Sequence, residues 1–316
     1  MTRGLRVLRP GLLTTVQDSG RRGWRHLGVA HAGALDPAMA RLANRLVGNT
    51  QDAAVLELTL RGPTLEFAAP VRIALLGAAV VARFGGVTVP AGRPVDLPAG
   101  VLELGAVRDG ARAWLAVAGG IAVPVVLGSR STDLRGGFGG IDGRALVVGD
   151  ELPLGDTAMP ACATPRIPGW WIRPGDDLDP RRPIRYRPSP HPLADALSTR
   201  AWQVSPSSNR QGLRLQGDAL PSTAANAVSE PVAPGTIQLP PDGHPIVLLA
   251  DAQTVGGYPR LGHVIAADLP RLAQRLPGQA LHFEPCDAAT AQRLACTARA
   301  RIARIALMID ARLATV

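Results

Sequence analysis

Three segments of this sequence concentrate side chains that can do chemistry. The first runs Gln17-Asp18-Ser19-Gly20-Arg21-Arg22-Gly23, passes His26, and reaches Gly33-Ala34-Leu35-Asp36-Pro37. It sets an acid, two arginines and an imidazole ahead of a helix start, where free N–H groups attract anions. Its plainer reading is a capped turn carrying surface arginines. The second, residues 128–140, holds Ser129, Arg130 and Arg135 among glycines. Guanidinium forks suit a carboxylate or phosphate, and glycines let backbone N–H groups approach a ligand. Its plainer reading is a flexible strand connection. The third, residues 251–260, follows the most apolar strand of the chain and carries Asp251, Gln253, Gly256, Gly257 and Tyr258. A polar loop at a strand end is a common place for a site.

Many chemistries are excluded. The sequence has no Gly-x-Ser-x-Gly elbow, no His-Glu-x-x-His, no phosphate loop and no dinucleotide fingerprint. Its six histidines show no metal-ligand spacing, so no metal site is expected. All 34 basic residues are arginine. Without lysine the chain offers no Schiff base, no Walker lysine and no attachment point for biotin. The net charge of +9 suggests an acidic partner, but the arginines are dispersed. The densest group is only Arg181, Arg182, Arg185 and Arg187, and aromatics make up 3%. Both facts argue against nucleic acid. Three cysteines, Cys162, Cys286 and Cys296, fit neither a disulfide framework nor a metal clip, which points to a reducing, cytoplasmic setting. The N-terminus has no apolar h-region, so no secretion signal is expected. The longest uncharged stretch, between Arg112 and Arg130, is broken by Gly119-Gly120 and Pro124. It reads as two buried strands around a turn and not as a membrane helix.

The elements that must position these segments are mostly strands. A chain of 316 residues suggests two domains, and 35 Gly and 29 Pro scattered through apolar stretches suit short strands and tight turns. Short apolar runs mark strands at 65–67, 71–76, 87–89, 101–104, 114–117, 202–204, 213–215 and 246–249. Pro240-Pro241-Asp242-Gly243 predicts a hairpin turn. Asp36 and Pro37 start a helix whose apolar stripe is Met39, Leu42, Ala43, Leu46 and Val47, closed by Gly48. A second helix is expected from Asp268 to Leu276 before Pro277-Gly278. A Pro-, Arg- and Asp-rich stretch places a linker at 166–192 between an N-terminal lobe, 1–165, and a C-terminal lobe, 193–286. A helix over 287–316 follows, with Ile302, Ile305, Ile309 and Leu313 on one face, set to pack on the body or on a partner.

The three segments together resemble the biotin-dependent carboxyltransferase-like proteins, also called the allophanate hydrolase subunit 2 family. The resemblance starts at Gly11-Leu-Leu-Thr-Thr-Val-Gln-Asp-Ser-Gly-Arg and runs through His26-Leu-Gly-Val, Gly33-Ala-Leu-Asp-Pro, Arg41-Leu-Ala-Asn-Arg-Leu-Val-Gly-Asn, Ala118-Gly-Gly-Ile and Gly128-Ser-Arg-Ser-Thr. It continues through Ser229-Glu, Pro234-Gly-Thr-Ile-Gln, Pro240-Pro-Asp-Gly, Asp251-Ala-Gln-Thr and Gly256-Gly-Tyr-Pro. It implies a mainly β, cyclophilin-like, barrel-rich fold in two lobes with a few short helices. It also implies a stand-alone bacterial subunit of an ATP-dependent 5-oxoprolinase, in which the lactam of 5-oxoproline is opened to glutamate. Subunits A and B would be the partners, and ATP would be used by the complex. On that reading Asp18, His26, Gln253 and Tyr258 are the candidate catalytic residues, with Gln253 and Tyr258 orienting the amide. Arg21, Ser129, Arg130, Arg135, Arg210, Asp251, Gly256 and Gly257 would bind substrate or nucleotide. Two other roles fit the family: carboxyl transfer with biotin on another chain, and non-enzymatic antagonism of a histidine-kinase inhibitor. Two positions depart from the family pattern. Asn209 stands where Asp is expected before Arg210, and Ala32 where Ser is expected.

Overall fold

Two long strands, Val71–Phe84 and Gly100–Val117, organise the N-terminal part of the chain. They pair antiparallel along almost their whole length, with register shifts at Gly77/Ala79 and Val80/Ala82. The short runs expected at 101–104 and 114–117 are therefore the two ends of one strand. The intervening Asp109 takes a left-handed turn (φ +59°) without ending it. Gly100–Val117 also pairs with Thr64–Phe67 through one end and with Val55–Thr59 through the other, so the sheet has to curl around it. The stretch 112–130 does not form two strands: the strand stops at Val117, and a turn at Gly119-Gly120 leads into isolated bridges. Pro124 cannot donate to a ladder, and the Val123 carbonyl accepts from Arg130 Nε (2.9 Å).

The computed structural model describes residues 4–158, 161–174, 179, 181–221 and 228–315. Contacts divide the chain into two units. One comprises Met1–Arg21, Ala32–Gly175 and Ile302–Val316, the other Arg22–His31 and Asp176–Arg301. Among the described residues the fold is mainly β, with 34% strand and 15% helix. The curled sheets form a half-barrel and a nearly closed barrel.

The core of the first unit gathers the inward side chains of these strands, including Leu56, Leu58, Leu65, Ile73, Leu102 and Leu115, all at most 2% exposed. Helix α1, Pro37–Leu46, buries Met39, Leu42, Ala43 and Leu46. Its N-cap is Asp36, whose carboxylate accepts from the N–H groups of Ala38 and Met39 (both 3.1 Å). Burial raises the Asp36 carboxyl to about 6; the two backbone bonds oppose this, and the charge of Glu57 adds to it. Glu57, itself 1% exposed, accepts from Leu35 N (2.8 Å) and Trp114 Nε1 (3.0 Å).

In the second unit an eight-stranded sheet is bounded by Ala280–Leu281 on one side and Phe283–Pro285 on the other. Only His282 separates these two edge strands in sequence. The sheet must therefore wrap until its edges nearly meet, which produces the closed form. The predicted hairpin is present: Ile237 faces Val247, and Gly243 takes φ +75° in the turn. The expected linker 166–192 needs correction, because Ile184–Pro188 is a strand of this sheet, with Ile184 and Tyr186 fully buried. The second helix, α2, covers only Leu269–Leu272. Asp268 does not cap it, since its carboxylate is taken by Arg185 through the backbone N–H (2.8 Å) and the guanidinium (2.6 and 2.9 Å). Helix α3 spans Ala288–Leu313. On its last turns Ile309 is buried, and Asp310 bonds Arg45 of α1. Among the described residues no helix is long and apolar enough to cross a membrane.

Candidate functional site

The structure sorts the twelve predicted site residues into two groups, one in each unit. In the first unit, Asp18 ends a strand (Leu13–Gln17) and turns back through Gly20 (φ +81°). Its carboxylate accepts from Gly20 N (2.8 Å), Ser129 Oγ (2.5 Å), Ser131 Oγ (2.6 Å) and Arg130 N (2.5 Å). Four donors on one carboxylate make an anchor for the loop, and few lone pairs remain for a reacting proton. Arg21 is buried as well: its guanidinium lies 4.6 Å over the Phe138 ring and donates to the Ser131 carbonyl (2.5 Å). Gly139 makes room for it, since a Cβ there would collide with Arg21 Nη2. Ala32, where the family pattern has Ser, is buried in a left-handed conformation (φ +51°).

The glycine loop spends most of its backbone N–H groups on internal bonds. The N–H groups of Arg130, Ser131, Thr132, Asp133, Arg135, Gly136, Gly137 and Gly140 all donate inside the chain. Three of its glycines, Gly136, Gly139 and Gly140, serve internal closeness: a Cβ on Gly140 would collide with Thr132 Oγ1. What the loop presents outward is the exposed Arg135 and the half-buried Arg130.

In the second unit, Arg210 and Asp251 form a bidentate ion pair (Nε–Oδ2 2.9 Å, Nη2–Oδ1 2.9 Å) with both side chains 2% exposed. They bind each other and lock two loops together, aided by Asp251 N to Arg210 O (3.1 Å). The departure at Asn209 keeps its local role. Its Oδ1 accepts from Gln211 N (2.8 Å), the Asx-type turn an aspartate would make.

The locked loop carries Gln253. Its Nε2 donates to Oε1 of Gln238 (3.3 Å), a residue 1% exposed at the end of the strand Thr236–Gln238. Gln238 Nε2 has no hydrogen-bond partner among the described residues. Gly256 lies on it so closely that a Cβ would sit 2.5 Å from that nitrogen. Tyr258 is exposed two residues on. His26 is exposed on a short 3-10 turn, Arg25–Leu27. Its neighbour Arg25 donates to the Val232 carbonyl, and burial lowers the Arg25 guanidinium below its ordinary value. Among the described residues no group of His, Cys, Asp and Glu could hold a metal ion.

The family model described as "Carboxyltransferase domain, subdomain A and B" matches residues 27–285. The chain belongs to the carboxyltransferase domain family. It is 43% identical over 288 residues to the C subunit of the 5-oxoprolinase of Escherichia coli (strain K12), covering 90% of this chain and 91% of that protein. It is 33% identical to the urea amidolyase of Lachancea kluyveri, covering 91% of this chain but 17% of that enzyme. Among solved structures, the urea amidolyase of K. lactis superposes with a TM-score of 0.84 at 30% identity, over 96% of this chain and 20% of that one. The matched carboxyltransferase region ends before α3 begins.

Within this carboxyltransferase domain, sequence reasoning singled out Gln253 and missed Gln238. Charged residues drew the attention, and most of them turn out to be internally bonded. The usable signal was a polar side chain inside Thr236-Ile237-Gln238-Leu239, a segment buried throughout. Buried amides need partners, so a glutamine at such a place has to bond something.

Proposed function

We propose that this chain is the C subunit of an ATP-dependent 5-oxoprolinase, acting with subunits A and B on the lactam of 5-oxoproline. One observation carries the reading: the match to the bacterial 5-oxoprolinase chain runs along 91% of that protein, whereas the match to urea amidolyase covers 17% of a much longer enzyme. In the reaction the ring C–N bond breaks, the water oxygen enters the new carboxylate, and the nitrogen leaves as the amine of glutamate. The lactam is stable, and ATP hydrolysis supplies the driving force. Most backbone N–H groups of the glycine loop are bonded within the chain, which is compatible with the nucleotide lying on a partner subunit. The amide pair Gln238–Gln253 supports an amide-type substrate, because a primary amide can both donate to a carbonyl and accept from an N–H.

The test is ATP-dependent glutamate release from 5-oxoproline by this chain with subunits A and B, each omitted in turn. Activity that requires all three is the expected result. Undiminished activity without this chain would overturn the reading. A second reading, carboxyl transfer, is favoured by the carboxyltransferase domain itself and by the urea amidolyase relatives. The chain has no lysine, so the biotin carrier would be another protein. A biotin-containing band in the native complex would favour this second reading.

A further inference from the structure

We propose that Gln238 is the residue that receives the carbonyl oxygen of the substrate's amide, with Gln253 holding its side chain in place and the strand Val255–Gly256 as the cover that opens. The inference rests on the amide reading above and names the group that does the recognising. Four observations support it. Gln238 sits among buried residues, Ile237 at 0% and Leu239 at 1% exposure, where an apolar side chain would satisfy packing without a polar demand. Its Oε1 is occupied by Gln253, and its Nε2 is a buried donor without an acceptor among the described residues. Such orphan donors are rare in native proteins and call for a missing partner. The pairing of Thr236–Gln238 with Arg260–Val264 shifts register between Ile237 and Gln238. Bulges of this kind re-aim a side chain, often beside a site.

The cover is built to move. Among the described residues Val255–Gly256 pairs only with Glu230–Pro231, two residues against two. Arg260 bonds Glu230 in an ion pair about half exposed at each end, a weak clasp in water. Gly256 has no side chain, so its backbone can lie directly on the Gln238 amide when closed and lift without moving a side chain. The ligand class is a planar amide whose carbonyl projects from a small molecule. A lactam and a urea share that chemistry, and the probes separate them.

The experiment uses the full chain with its glutamines labelled with nitrogen-15 at the side-chain amide, titrated with 5-oxoproline, 2-pyrrolidinone and urea. The Gln238 signal is identified by its loss in Q238M. The expected result is a saturable shift of that NH2 pair with at least one probe. Affinity should fall about tenfold in Q238M, which keeps the shape, and in Q238E, which keeps only the acceptor, as for loss of one hydrogen bond. G256A should weaken the same probe by pushing the amide aside. A structural role alone would lower the melting temperature and leave probe affinity unchanged. Binding with an unmoved Gln238 signal, or equal binding by Q238M, overturns the proposal. Where no probe binds the free chain, the KM for 5-oxoproline of the assembled complex decides. A rise of about tenfold in Q238M supports the assignment, and an unchanged KM overturns it. A silent 5-oxoproline assay together with a urea- or pyrrolidinone-shifted Gln238 would sink the oxoprolinase reading and leave this residue's role standing.

Discussion

Asp18 in the first unit and Gln238 in the second sit in the two polar clusters that survive from the sequence, and they are opposites. Asp18 is charged, and four donors saturate it. Gln238 is neutral, more deeply buried, and short of one acceptor. A charged side chain inside a fold is tolerated only when bonded, so density of charge in a loop marks where the scaffold is pinned. An unfilled neutral donor, which costs less to keep, marks where something else binds. The same distinction runs through the second unit, where the Arg210–Asp251 pair is closed on itself and serves to place Gln253.

The strongest way to break this comparison is to open the closed pair. D251A leaves Arg210 buried without its carboxylate and is expected to cost about 3–5 kcal/mol in urea unfolding. A loss under about 1 kcal/mol would mean the pair is not the lock described. Next comes the anchor itself. D18A strands two hydroxyls and two N–H groups, with an expected loss of about 3 kcal/mol. An anchoring role predicts that any lost activity tracks the folded fraction. An inactive but fully stable D18A would return Asp18 to the chemistry.

Asp36 sharpens the comparison from a third side, as a sealed carboxylate only partly compensated. Its folded value of about 6 lies above the ordinary 3.8, so between those pH values the folded state binds the proton that the unfolded state releases. Stability from this site is therefore highest below about pH 4, falls by about 3 kcal/mol as pH rises to about 6, and is flat above that. D36N should remove this slope. Denaturation curves of wild type and variant at pH 4, 5, 6 and 7 read the difference directly, and parallel curves would refute it. The smallest effect belongs to Arg45–Asp310, with side chains 39% and 44% exposed. D310N should cost under about 0.5 kcal/mol, fading with salt.

Local features were legible in the residues. Asp36-Pro37 and Gly48 bracket α1, and Asp242-Gly243 marks the hairpin, because caps and turns are decided by neighbours a few positions apart. The strand Gly100–Val117 was not legible as one element, since Asp109-Gly110 reads as a break and only pairing with Val71–Phe84 carries the chain through it. The strand Ile184–Pro188 hid inside a proline- and arginine-rich stretch for the same reason. At the site, Gln253 was visible as a polar residue after an apolar strand. Gln238 was not, because its meaning lies in what it fails to bond.

By itself, the sequence determined the family, the mainly β composition, the start of α1 and the absence of a lysine to carry biotin. Tertiary structure decided which polar groups are occupied. Ser129 reaches Asp18 across 111 positions of chain and Arg210 reaches Asp251 across 41, while the Gln238 side chain bonds Gln253 only 15 positions away and its Nε2 finds no acceptor among the described residues. Hydrogen-bond satisfaction is a property of the closed sheet and its loops, and no pattern read along the chain contains it.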